Sequence, residues 1–145
     1  MADADNMLIS EHLAVLAQLV PVSSSSAQNM AWTSAAGYGR FAVMIMVGAM
    51  TATGTVDAKI QMAKDGSGTG AIDIPGKAIT QMLAASDGSK IRMIDLKSDE
   101  IPDTYTHIRL VLTAATAASL VAAVLFGEAA NYRPVMKPAY LTTFN

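Results

Sequence analysis

The sequence predicts an all-β fold: an antiparallel β-sandwich of jelly-roll or Greek-key type with extended N- and C-terminal arms. Short apolar or alternating runs are separated by turn residues at intervals of roughly 8–15 residues, slightly wider than is usual for sandwich strands. Hydrophobic residues make up 52% of the chain and charged residues only 15%, a balance that excludes disorder. The 145 residues fit one domain, which we assign to residues 31–130.

Residues 1–30 are predicted to form an N-terminal arm with a possible short helix. Ser10 can cap that helix, an apolar stripe runs from Leu13 to Val20, and Pro21 would end it. The same stretch can instead be extended, because its apolar residues do not follow a single period. The four serines at 23–26 are typical of a linker or a surface loop.

The densest apolar run, Phe41–Val47, predicts a strand that is buried on both faces. Such a strand is either central in a sandwich or covered on its outer face by a partner. Met44 and Met46 share one face, and long unbranched side chains adapt well to a subunit contact. We therefore predict that Met44 and Met46 form a subunit contact.

Residues 55–62 show the clearest alternation, with Val56, Ala58, Ile60 and Met62 on one side and polar residues on the other. This period of two predicts a strand with one wet face. Further strands are predicted at 78–83, 90–97, 107–113 and 120–126. Turns are predicted at 51–54, 66–70, 72–76, 87–88 and 99–103, where Gly, Pro, Asp or small polar residues cluster.

No residue pattern predicts catalysis, a cofactor site or a metal site. The chain has a net charge of -2 and no Cys, which argues against a broadly basic nucleic-acid binder and excludes a thiolate site. Gly66–Gly70 lacks the Lys-Ser/Thr and the helix that a phosphate loop needs. His12 and His107 show no triad or metal spacing. Calcium binding by the acidic turn at 99–103 is an alternative to simple solvation.

Neither a secretory signal nor a membrane span is predicted. The chain begins with acidic residues, and no Lys or Arg precedes Arg40, unlike a signal peptide. The uncharged run at 110–127 approaches spanning length. Its centre is rich in Ala and Thr, so two strands around a small-residue turn fit better than a transmembrane helix.

Residues 131–145 are predicted to form a C-terminal arm that packs on a neighbouring subunit. Pro134 and Pro138 disfavour a strand inside a sheet, and the aromatic residues are scattered. The contact candidates in this arm are Tyr132, Arg133, Val135, Tyr140 and Phe144.

Several segments together resemble small head proteins of tailed bacteriophages and prophages, in particular capsid decoration (cement) proteins. They are Trp32–Arg40, Gly54–Gln61, Gly68–Ile74, Gly76–Gln81 and Tyr132–Val135. These are patterns of turns and strands, and the resemblance extends over about residues 8–136.

The resemblance implies a non-enzymatic protein that binds the outside of the phage head and bridges major capsid subunits. It implies assembly in the host cytoplasm and location in the virion. The apolar residues on both faces of the Phe41–Val47 strand separately predict self-association as a dimer or trimer. Neither a nucleic-acid nor a membrane partner is predicted. The alternatives are a head–tail connector or tail protein, and a carbohydrate-binding β-sandwich module. The carbohydrate module requires exposed aromatic residues, and Trp32 is the only Trp.

Overall fold

The computed structural model describes residues 8–129. One short helix, α1 (Ile9–His12), precedes ten strands. The strands are β1 (Leu13–Ser24), β2 (Ala27–Asn29), β3 (Thr33–Ser34), β4 (Tyr38–Met50), β5 (Thr55–Ala63), β6 (Ile72–Ala78), β7 (Met82–Leu83), β8 (Lys90–Lys97), β9 (His107–Ala115) and β10 (Ser119–Ala129). A 3-10 turn follows β8 at Ser98–Glu100. The prediction of an all-β, antiparallel sandwich is confirmed.

The strands form two antiparallel sheets. The first sheet has the order β1-β10-β4-β8, and the second has the order β2-β9-β5-β6, with β3 added to β9 and β7 to β5. The chain passes repeatedly between the sheets: β4 lies in the first, β5 and β6 in the second, β8 in the first, β9 in the second and β10 in the first. The tight turn between β4 and β5, closed by a hydrogen bond from Gly54 N to Thr51 O at 2.8 Å, therefore carries the chain from one sheet to the other.

The core lies between the sheets and is built from the inward residues of both. Val43 and Ile45 of β4, Ile60 of β5, and Leu110 and Leu112 of β9 are at most 1% exposed and belong to one cluster. Branched and aliphatic residues at every second position suit a pleated strand that is buried on one side.

The N-terminal segment differs from the predicted arm. The helix ends at His12, and residues 13–24 form β1, which pairs antiparallel with β10 from Leu13–Glu128 to Ser24–Ser119. Leu16, Ala17, Leu19 and Val22 pack against the core, and Met30 is 2% exposed. The extended alternative therefore describes residues 13–24, but pairing and burial make them part of the domain. Pro21 is tolerated because β1 is an edge strand with a register shift between Leu19 and Val22.

Two further segments differ from the predicted strand pattern. Residues 72–76, predicted as a turn, belong to β6, which pairs with β5. An edge strand accommodates Pro75, and Gly76 adopts a positive φ of 75° next to it. The strand predicted at 78–83 is divided between the end of β6 and β7.

The strand predicted at 90–97, in contrast, coincides with β8.

The uncharged run at 110–127 forms parts of β9 and β10 around a short turn, as the strand interpretation predicted. Within residues 8–129 no helix has the length and hydropathy to cross a membrane.

Candidate functional site

The outward side of the first sheet is apolar on all four strands, and we call it the apolar face. It consists of Leu13, Val15 and Val20 of β1, Leu120, Ala122, Val124 and Phe126 of β10, Ala42, Met44 and Met46 of β4, and Ile91 and Met93 of β8. Gln18 of β1 interrupts it near one edge. This surface, rather than a cleft, is the feature of the described residues that a soluble monomer would not need.

Strand register makes the apolar face continuous. Met44 is paired with Val124 on one side and with Met93 on the other. Met46 is paired in the same way with Ala122 and Ile91. Side chains directly opposite each other in an antiparallel pair lie about 4.5–5.5 Å apart at Cβ, so these rows leave no polar gap across β10, β4 and β8. On β1 the Met44 row ends at Gln18, which is paired with Val124.

Much of the apolar face is open to solvent. Val15 and Val20 are 62% and 63% exposed, Ile91 and Met93 are 56% and 55% exposed, and Leu120 and Leu13 are 41% and 37% exposed. These fractions amount to roughly 600 Å² of surface, the upper end of the largest apolar patch on a typical monomer, and such patches mark interaction sites. The half-buried side chains of Met44 and Met46 fill the centre of the patch.

One end of the apolar face carries charge. Arg40 of β4 is paired in register with Glu128 and with Lys97, and its guanidinium forms a salt bridge with the carboxylate of Glu128. Asp95 stands opposite Ala42 in the next row. Beside the small Ala42 side chain lies a hollow of about 220 Å³, which is also lined by Leu13, Arg40, Phe41, Asp95, Phe126 and Glu128.

The outward side of the second sheet is polar, and its side chains bind one another. The guanidinium carbon of Arg109 lies 4.4 Å from the centre of the Trp32 ring, within the range of a cation–π contact. Arg109 Nη2 also donates to Gln61 Oε1 at 3.0 Å. Gln61 Nε2 and Lys59 Nζ donate to the Asp73 carboxylate at 2.8 and 2.7 Å.

The carboxylates whose pKa values are shifted accept hydrogen bonds that stabilise turns and strands. The pKa of Asp87 is lowered, mainly because its carboxylate accepts hydrogen bonds from Leu83 N and Ser86 Oγ. The Lys59 ammonium, followed by the Gln61 amide, lowers the pKa of Asp73. A carboxylate kept ionised in this way is poorly suited to act as a general acid or base near neutral pH.

Two other lowered pKa values have the same kind of cause. Hydrogen bonds from Thr69 lower the pKa of Asp65, which ties the 66–70 loop to the end of β5. The backbone N–H of Lys97, and then the Lys77 ammonium, lower the pKa of Glu100. The loop leads into β6 rather than a helix, in line with the prediction that it is a hairpin connection and not a phosphate loop.

The two histidines lie on separate elements. His12 ends α1 and His107 begins β9, where its Nδ1 is 2.8 Å from Thr106 Oγ1. Among residues 8–129 no three His, Asp or Glu side chains gather in a group that could hold a metal ion. In the acidic turn at 99–103, for which calcium binding was the alternative to solvation, Glu100 pairs with Lys77 Nζ at 3.0 Å.

Of the predicted contact residues, Met44 and Met46 both lie on the apolar face. Tyr132, Arg133, Val135, Tyr140 and Phe144 lie outside the described residues. Sequence reasoning missed Ile91 and Met93, because Lys90, Arg92, Asp95 and Lys97 give β8 the composition of a solvated strand. Their alternation with Arg92 was the signal that could have placed both on one face.

No protein-family model matches the chain, and no curated protein matches it either. The apolar face and the strand order are therefore the structural observations that bear on function.

Proposed function

We propose that the protein is a non-enzymatic structural protein of a phage virion, a capsid decoration (cement) protein. It binds the outer face of the head and bridges subunits of the major capsid protein, after assembly in the host cytoplasm. Its work is protein–protein contact, so the proposal assigns it no cofactor, metal, nucleic-acid or membrane partner.

The observation that carries this proposal is the apolar face. The exposed Val, Ile, Leu and Met side chains offer roughly 600 Å², the upper end of the largest apolar patch on a typical monomer, and such patches often mark interaction sites. The unbranched methionines at its centre adapt to a partner's shape. A chain with only 15% charged residues also has little to keep it apart from other subunits.

The strand order gives independent support. The strand orders β1-β10-β4-β8 and β2-β9-β5-β6 support a double-sheet jelly roll, which we propose as the finer classification. Jelly rolls are common in viral capsid proteins and also in lectins. The likeness is one of fold, and a fold alone does not decide a function.

The carbohydrate-binding alternative has less support among the described residues. Sugar-binding surfaces present the open face of an aromatic ring. The Trp32 ring instead packs against the Arg109 guanidinium, and its indole lies so close to Gly68 that a Cβ there would be 2.5 Å from Nε1.

Bridging by a cement protein relies on many copies. Each contact with a shell subunit needs to contribute only a few kcal/mol, because a multivalent unit on a closed shell gains effective concentration. A head–tail connector would instead form one closed ring, so its copy number would be limited by that symmetry to about a dozen.

The test is a particle that lacks this protein. We expect such heads to assemble with normal shape and to release DNA at a lower temperature than complete heads, and purified protein added back should restore the release temperature. Quantitative mass spectrometry of complete particles should find on the order of hundreds of copies, as repeated sites on a closed shell require. Deletion heads as heat-stable as complete ones would contradict the proposal. Heads that never close would indicate a scaffold or connector.

A further inference from the structure

We infer that the apolar face binds a second copy of this chain, face to face, in a dimer with two-fold symmetry. The inference rests on the proposed function in one respect: both treat the apolar face as a surface that contacts protein. The inference adds that the partner is a second copy of this chain. Contacts with the major capsid subunits are then made by surfaces that remain exposed in the dimer, such as the polar outward side of the second sheet. A dimer presents those surfaces twice, which is what bridging requires.

The area of the apolar face fits a stable dimer. The six exposed side chains offer roughly 600 Å², and the half-buried Met44, Met46, Val124 and Phe126 bring the patch close to the about 800 Å² per partner of a standard interface. Contact between two such faces would remove from water the apolar surface that four strands of one chain leave open.

The shape of the face suits a copy of itself. Met93 and Val15, both more than half exposed, project from the edge strands. Ala42 and Ala122 are low points on the central strands, and Ala42 opens the hollow of about 220 Å³. A two-fold contact requires that one patch carry both projections and hollows. Two sheets that pack face to face lie about 10 Å apart, which is the spacing expected between the two copies.

Charge does not oppose the contact. The charged end of the apolar face has two basic residues, Arg40 and Lys97, and two acidic residues, Asp95 and Glu128, so a second copy meets no net charge there. The whole chain carries a formal charge of -2, which gives only weak repulsion between copies at physiological salt. The centre of the patch has no ionisable side chain that dimerisation would strip of water.

The experiment measures the mass of the pure full-length protein in solution, with no capsid present. Light scattering at micromolar concentration should give twice the chain mass of 15.1 kDa. Met93→Glu and Val15→Glu each place a charge in the interface from an exposed position on an edge strand. Each should weaken dimerisation by at least about 100-fold, because a buried unpaired charge is strongly unfavourable.

Leu83→Glu is the matched control. Leu83 is an exposed apolar residue, 45% accessible, but it lies in β7 on the second sheet, paired with Thr55. The same chemical change there should leave the dimer intact. Circular dichroism should show all three variants folded, and two independent interface variants guard against a fold defect in either one.

A wild-type monomer, a trimer, or a dimer that survives both Met93→Glu and Val15→Glu would overturn the inference. Peroxide oxidation of Met93 identifies the occupant if the protein is monomeric. A protected Met93 would mean that another segment of the same chain covers the face, and a reactive Met93 would mean that the face is kept for a different protein. Either result overturns the second copy as partner. The particle test above is unaffected, because it compares heads with and without the protein whatever its oligomeric state.

Discussion

In β5 of the second sheet, buried Val56, Ala58 and Ile60 alternate with outward Asp57, Lys59 and Gln61. In β4 of the first sheet, buried Val43 and Ile45 alternate with outward Met44 and Met46 in the same way. Both strands occupy central positions in their sheets. The burial pattern is therefore the same, and only the chemistry of the outward residues differs.

This difference shows what each side of the sandwich can do. Outward polar residues on the second sheet bind one another through the contacts that link Trp32, Arg109, Gln61 and Asp73, so these side chains are satisfied within one chain. Outward apolar residues on the first sheet gain nothing from water, and they are stabilised only when another apolar surface covers them. The asymmetry points to one side for association and one for solvent or polar contacts.

The largest expected effect tests whether the inner sides of the two sheets are equivalent. Ile45→Ala on β4 and Ile60→Ala on β5 each remove a side chain that is at most 1% exposed. Each should lower the free energy of unfolding by about 2–5 kcal/mol, because a cavity remains where the side chain was. Urea denaturation measures both. A loss below about 1 kcal/mol at either position would show that the sheet concerned does not share the core as described.

An intermediate effect concerns the attachment of β8, the outermost strand of the apolar face. Asp87 accepts hydrogen bonds from Leu83 N at 2.9 Å and from Arg92 Nη2 at 3.0 Å, joining β7 of the second sheet to β8 of the first. Its pKa is lower in the folded chain. The ionised Asp87 carboxylate therefore contributes its full stabilisation of the fold when the pH is above the ordinary aspartate pKa. That contribution is lost as the pH falls through the lower pKa that Asp87 has in the folded chain.

When the pH is lowered below the ordinary aspartate pKa, we expect the urea concentration at the unfolding midpoint of the wild type to decrease. The midpoint of Asp87→Asn should decrease less over the same pH range. Ile45→Ala is the control, because an uncharged core change should lower the midpoint by a similar amount at every pH. If the urea midpoint of Asp87→Asn decreased with falling pH as steeply as that of the wild type, the loss of stability in acid would come from other carboxylates.

The smallest expected loss of stability comes from a substitution on the polar outward side of the second sheet. Arg109→Met keeps an unbranched side chain but removes the cation above Trp32 and the hydrogen bonds to Gln61. The loss of stability should be about 0.5–1 kcal/mol, and the fluorescence of Trp32 should change. Lys59→Met, which removes the exposed salt bridge to Asp73 on the same sheet, should leave that fluorescence unchanged. Identical spectra for Arg109→Met and the wild type would contradict the stacking.

Local patterns predicted some elements well. The alternation at 55–62 gave the wet outer side of β5, and residues 90–97 coincide with β8. The methionines of β4 gave part of the apolar face. Local patterns failed at 72–76, where Pro75 and Gly76 are as typical of a turn as of a bulged edge strand. They also failed at the N terminus, where the apolar residues of 13–24 fit no single period.

The amino-acid sequence by itself determined that the chain is all-β, that its strands have a buried side, and that some outward positions are apolar. These are consequences of side-chain period and turn chemistry within a few residues. Only the tertiary structure decided that β1 pairs with β10, that β8 pairs with β4, and hence that Val15, Phe126, Met44 and Met93 share one surface. Pairing between strands far apart in the chain depends on how the whole core closes, which no local pattern records.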